Sequence, residues 1–123
     1  MGAVTGVSVI PLDTVPDIEL PNGSFSRMLI TGGRAEGATA SLGYSVFRPG
    51  TELGSVAHET EEFAYVAAGR GRLRLDDGEL DFSAGDALHI PANVWHAVIN
   101  DGDEDVVMVF GFPHPDYPPT ERR

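Results

Sequence analysis

His58 and Glu62 stand four residues apart in a stretch that reads as β-strand, and His96 stands on a later strand. Residues an even number apart on a strand project to one face, so His58 and Glu62 are expected to point the same way. If the two strands lie side by side, His58, Glu62 and His96 converge. Two imidazoles and one carboxylate, with coordination positions left open, suit iron(II), manganese, zinc or nickel. The same three side chains without a metal make a polar pocket. Glu62 would then need an imidazolium as its charged partner, because burying an unpaired carboxylate is costly. The residues alone leave both readings open.

Neighbouring positions extend the candidate site. Asn100 lies four residues past His96 and is expected to face the same way. Ala64, Val66, Val94 and Val98 share the parity of the cluster, which predicts apolar walls around a polar centre, the usual form of a small-molecule site. His89 precedes Pro91 by two residues. Facing inward, it would act as a ligand or a general acid–base, since its unperturbed pKa lies near neutrality. Facing outward, it is a polar surface residue. His114 falls on a Pro-rich stretch and reads as solvated. Phe63, Tyr65, Trp95 and Ile99 have the opposite parity and predict an apolar outer face that needs cover. Arg70, Arg72 and Arg74 share one strand face and read as a solvated or subunit-pairing stripe.

Short strands must hold these residues in place. Helix signals are almost missing, and the 15 glycines and 9 prolines cut the apolar runs into short pieces, as in a sandwich or barrel. Strands are expected over Ser24–Thr31, Ala40–Phe47, Glu62–Ala68, Gly71–Leu75, Glu79–Phe82, Ala87–Ile90, Trp95–Asn100 and Asp105–Phe112. Asp77-Gly78 marks a tight hairpin, and Pro49-Gly50 and Ala84-Gly85 mark corners. Residues 1–23 read as an extended arm that adds an edge strand or wraps a partner. Residues 24–112 read as the barrel, and residues 113–123 as a Pro-rich tail unsuited to a sheet interior.

Composition removes several chemistries. With no cysteine in its 123 residues, the chain offers no thiolate nucleophile and no sulfur ligand. All eight basic residues are arginine, which excludes a lysine Schiff base and a Walker-type phosphate loop. No Gly-x-Ser-x-Gly elbow is present. A net charge of −11 disfavours nucleic acid as a partner. No apolar run approaches the ~20 residues of a membrane span. Met1–Pro11 lacks the features of a secretion signal, so a cytoplasmic protein is expected.

Two glycine-bounded motifs then become visible. Gly50, Val56, His58, Glu62 and Gly69 follow the spacing of the first cupin motif. Gly85, Pro91, Asn93, His96 and Asn100 follow that of the second, so eight of ten positions match in residue type. The chain resembles the cupin family from about residue 40 to residue 112. That resemblance implies an all-β, single-domain jelly-roll barrel, an antiparallel double-stranded β-helix. It also implies a homodimer, and a divalent metal in the barrel held by His58, Glu62 and His96. The activity it implies is on a small organic molecule, of dioxygenase, lyase or isomerase type. The alternatives are a metal-free cyclase, isomerase or dehydratase using histidine acid–base chemistry, and a non-enzymatic ligand-binding module. Two positions depart from the pattern. Asn93 replaces a glycine and tolerates the left-handed region. Val56 replaces the first histidine and cannot coordinate.

Overall fold

The computed structural model describes residues 6–123; the first five residues of the expected arm lie outside the described residues. Among the described residues eleven strands follow one another: β1 (Ile18–Glu19), β2 (Phe25–Ile30), β3 (Ser41–Phe47), β4 (Val56–His58), β5 (Glu62–Ala68), β6 (Arg70–Leu75), β7 (Gly78–Ser83), β8 (Ala87–Ile90), β9 (His96–Ile99), β10 (Val106–Phe112) and β11 (Thr120–Arg122). They form two antiparallel sheets, ordered β1-β2-β3-β10-β5-β8 and β11-β4-β9-β6-β7. This is the jelly-roll barrel. Alternation along β10 shows why: Val106, Met108, Phe110 and Phe112 are buried while the residues between them are half-exposed, the signature of a strand with one face on a core. Phe47, Val66, Leu73, Phe82 and Val98 meet them from the other strands. No helix among the described residues is long and apolar enough to cross a membrane.

The expected arm and the expected tail each contribute an edge strand. Ile18 and Glu19 pair with Ser26 and Phe25, so the arm closes one edge. Past the prolines of the tail, Thr120–Arg122 returns as β11 against β4.

The expected outer face is smaller than parity predicts. Ile99 is buried, with Glu52 bridged to it. Trp95 is half-buried, with the Arg123 guanidinium 4.2 Å above its ring. Only Phe63 and Tyr65 of that set remain exposed. The arginine stripe is largely ion-paired at the surface: Arg72 holds Glu79 and Asp101, and Arg74 holds Glu52.

Gly69 links β5 to β6 at φ 81°. A Cβ there would lie 2.3 Å from the Asp105 carbonyl oxygen and 2.9 Å from the Val106 Cα. Gly69→Ala is therefore expected to cost roughly 2 kcal/mol or more, from left-handed strain plus a backbone clash. Urea unfolding checks this: the midpoint falls with the m-value unchanged, and an unchanged midpoint would refute the close approach.

Candidate metal centre and its cavity

Three strands from the two sheets bring the cluster together. His58 ends β4, Glu62 begins β5 and His96 begins β9. The expectation that His58 and Glu62 share one strand is corrected here. The polar run Glu59-Thr60-Glu61 bends the chain across from one sheet to the other. His58 and Glu62 therefore face each other across the barrel instead of lying along one strand. β4 does lie beside β9, with Val56 in register with His96. The Asn93 N–H ties the two further by donating to the His58 carbonyl at 2.7 Å. Asn93 takes φ 64°, the left-handed conformation in which it stands for glycine.

Both imidazoles are buried, and Glu62 is nearly so. Their Nε2 atoms lie 3.2 Å (His58) and 3.3 Å (His96) from the same oxygen, Glu62 Oε1. One candidate ligand atom from each residue lies within 4.8 Å of the others. The far sides of the rings decide which nitrogens carry protons. Thr120 Oγ1 donates to the Pro118 carbonyl at 2.8 Å, so towards His58 Nδ1, 2.7 Å away, it can only accept. His96 Nδ1 lies 2.9 Å from the Val94 carbonyl, an obligate acceptor. Each Nδ1 therefore bears a hydrogen, and a neutral ring turns the bare lone pair of its Nε2 towards Glu62. Three electron-rich atoms then meet at one buried point, and Glu62 Oε1 has no well-aligned hydrogen-bond donor. Only a cation or an added proton relieves that arrangement. Outer acceptors that fix the tautomer in this way are what metal-binding histidines have.

Electrostatics follow from the same geometry. Burial raises the Glu62 pKa, but the two imidazoles outweigh it, and the net direction is down. Burial lowers the His96 pKa, yet the Glu62 carboxylate and the Val94 carbonyl turn the net direction up. In the absence of a metal the site thus favours a proton on His96 opposite an ionised Glu62.

The cluster opens into a cavity of about 510 Å³ lined mainly by apolar side chains. Val56, Ala64 and Val98 stand in its wall. Val66, Val94 and Asn100 do not. Val66 is wholly buried in the core, and Val94 packs against the core and offers only its carbonyl to His96. The buried amide of Asn100 donates to the Phe47 and Glu104 carbonyls at 2.8 and 2.9 Å. It secures the turn into β10. His89 faces outward, which corrects its candidacy as ligand or acid–base. It pairs with Phe63 in register, shares that residue's exposed face and lies 2.9 Å from Glu61. Its neighbours Leu88 and Ile90 line the cavity instead. His114 also lies away from it, with its ring on the Asp116 backbone.

Sequence reasoning missed the contribution of the chain's end. Tyr117 stands edge-on to His58 at 5.3 Å, and Phe112 does so at 5.0 Å. Tyr117, Arg122 and Arg123 complete the cavity wall.

A family model described as the cupin domain matches residues 43–112. The chain belongs to the cupin family. Among this cupin's relatives, Protein SchB of Streptomyces halstedii is 34% identical over 83% of this chain and 74% of its own length. Polyketide synthase CurC of Streptomyces cyaneus is 35% identical over 78% of this chain and 64% of its own length. The solved polyketide cyclase RemF from Streptomyces resistomycificus superposes with a TM-score of 0.79, covering 94% of this cupin and 84% of RemF. At 20% identity that likeness shows the fold.

Proposed function

We propose that this cupin binds one divalent metal through His58, Glu62 and His96 and acts there on a small, largely apolar organic molecule. The observation that carries the reading is the meeting of His58 Nε2 and His96 Nε2, 3.2 and 3.3 Å away, at the one buried oxygen Glu62 Oε1, which has no well-aligned donor. When bound, the metal supplies Lewis acidity to a substrate oxygen, or oxygen chemistry if it is iron. The chain's own residues orient the imidazoles, exclude water with apolar walls and hold the substrate body. The likeness to CurC favours a polyketide-derived substrate. RemF adds the same fold.

Metal titration of chelator-treated protein tests this. About one equivalent of zinc, manganese, iron(II) or nickel should bind, and protons should be released near neutral pH as His96 gives up its hydrogen. Absence of binding would leave the metal-free reading, in which His96 and Glu62 exchange a proton with the substrate. Val56, in place of an imidazole, is the feature that favours that second reading.

Thr120→Val removes the acceptor that fixes the His58 tautomer. It is expected to weaken metal affinity by about 10- to 100-fold with little change in the circular dichroism spectrum. Unchanged affinity would show that β11 does not orient the ligand.

We also place a homodimer contact on the outer face of β5, where Phe63 and Tyr65 are about half exposed. Light scattering at micromolar concentration should report a dimer, and Tyr65→Glu a monomer. A wild-type monomer would contradict the assignment.

A further inference from the structure

One place in the cavity wall holds a residue that metal binding does not use. Val56 stands where the first motif has a histidine, and it faces the cavity. β11 runs antiparallel beside it, with Thr120 opposite His58 and Arg122 opposite Val56. Directly opposed residues on antiparallel strands share a face, with Cβ atoms about 5 Å apart. Arg122 thus flanks the space an imidazole would have filled, and its side chain joins the cavity wall. A short neutral side chain on β4 is matched by a long cation on β11.

That cation is unspent. Arg123, the other arginine of the wall, forks onto both carboxylate oxygens of Asp76 at 2.7 and 2.9 Å and covers Trp95. Arg122 makes no ion pair among the described residues. It lies beside the Tyr117 hydroxyl, and the Tyr117 ring stands edge-on to His58. Behind this polar mouth the wall is apolar, with Leu53, Leu73, Ile90, Met108 and Phe110. The net charge of −11 repels anions from the molecule as a whole. An unpaired guanidinium at the mouth is therefore a local exception to the overall field.

We infer that Arg122, beside the position vacated by the motif's first histidine, binds the anionic oxygen of an apolar substrate whose body fills the cavity. The substrate class is an apolar organic anion: a carboxylate, enolate or phenolate on a hydrocarbon or ring framework. The inference rests on the reading of the cavity as the substrate site. A guanidinium gives a charge-assisted bond to such an oxygen and a weaker one to its neutral isostere. Arg122 is exposed apart from its place in the wall, so its replacement leaves the core intact.

Naphthalene-2-carboxylate and naphthalene-2-carboxamide, which share ring and shape, serve as probes. Chelator-treated protein is used, so that no metal can hold the carboxylate. The carboxylate should bind about fivefold or more tighter than the amide. Arg122→Gln should erase that preference by weakening the carboxylate far more than the amide, and Arg123→Gln should keep it. Equal binding of the two probes to wild type, survival of the preference in Arg122→Gln, or no binding of either at millimolar concentration would overturn the inference. A parallel zinc titration separates it from the metal reading. Zinc binding without carboxylate preference overturns the inference alone, and carboxylate preference without zinc binding overturns the metal reading alone.

Discussion

Glu62→Gln is expected to weaken metal binding by about 100-fold or more, beyond the 10- to 100-fold typical of losing an outer partner, because a ligand itself loses its charge. The amide has nearly the shape of the carboxylate, so the barrel should remain folded. Calorimetric titration with zinc measures the loss, and affinity within fivefold of wild type would remove Glu62 from the ligand set. The same substitution has a second readout in chelator-treated protein. The Glu62 carboxyl is held below its ordinary value of 4.5, so its contribution to stability is fully present above pH 4.5 and is lost as pH falls through the folded value. His96 is held above its ordinary 6.5, so its contribution is fully present below pH 6.5 and is lost as pH rises through the folded value. Metal-free wild type should therefore gain most from the pair between about pH 4.5 and 6.5, and Glu62→Gln should flatten that maximum. Parallel stability profiles for the two proteins would mean that carboxylate and imidazole do not interact.

Phe112→Ala is expected to cost about 3–5 kcal/mol, as for other large aromatic truncations in a core. Phe112 is 2% exposed and packs edge-on against His58, Phe110 and Tyr117 at centroid distances of 5.0, 5.7 and 5.5 Å. It joins the core to His58 and to the returning chain end, so closing the gap would disturb both. Domains of this kind have roughly 5–15 kcal/mol in total, and the variant should be near the limit of folding. Denaturant unfolding measures the effect. A loss under about 1 kcal/mol would mean that the site collapses around the truncation and that Phe112 is not its support.

Much of the site could be read from residue types and spacing. His58, Glu62 and His96 stand out because few side chains other than imidazole and carboxylate ligate divalent metals in a chain without cysteine. Asn93, read as a residue that tolerates the left-handed region in place of the motif's glycine, takes φ 64°. The short apolar runs of β5, β9 and β10, bounded by turn residues, mark strands. The reason for convergence was not readable. His58 and Glu62 meet because a polar bend carries the chain between sheets, whereas parity along one strand gave the same pairing for the wrong cause. Parity also misplaced Asn100 and Ile99. Near a barrel corner, which neighbour covers a face depends on the partner strand, not on the strand's own alternation.

Composition and local pattern by themselves determined that short strands form, and that the chain offers imidazoles and carboxylates but no thiol or lysine for chemistry. Those are properties of residues within a few positions of one another, where side-chain period and backbone sterics operate. Tertiary structure alone decided that His89 points out, because its register with Phe63 sets its face. It alone decided that the Pro-rich tail returns as β11, bringing Thr120 to His58 and Arg122 to Val56 across more than 60 positions of sequence. A three-residue strand behind Pro118-Pro119 has no periodicity to read. Its pairing comes from an open edge on β4 that exists only once the barrel has closed.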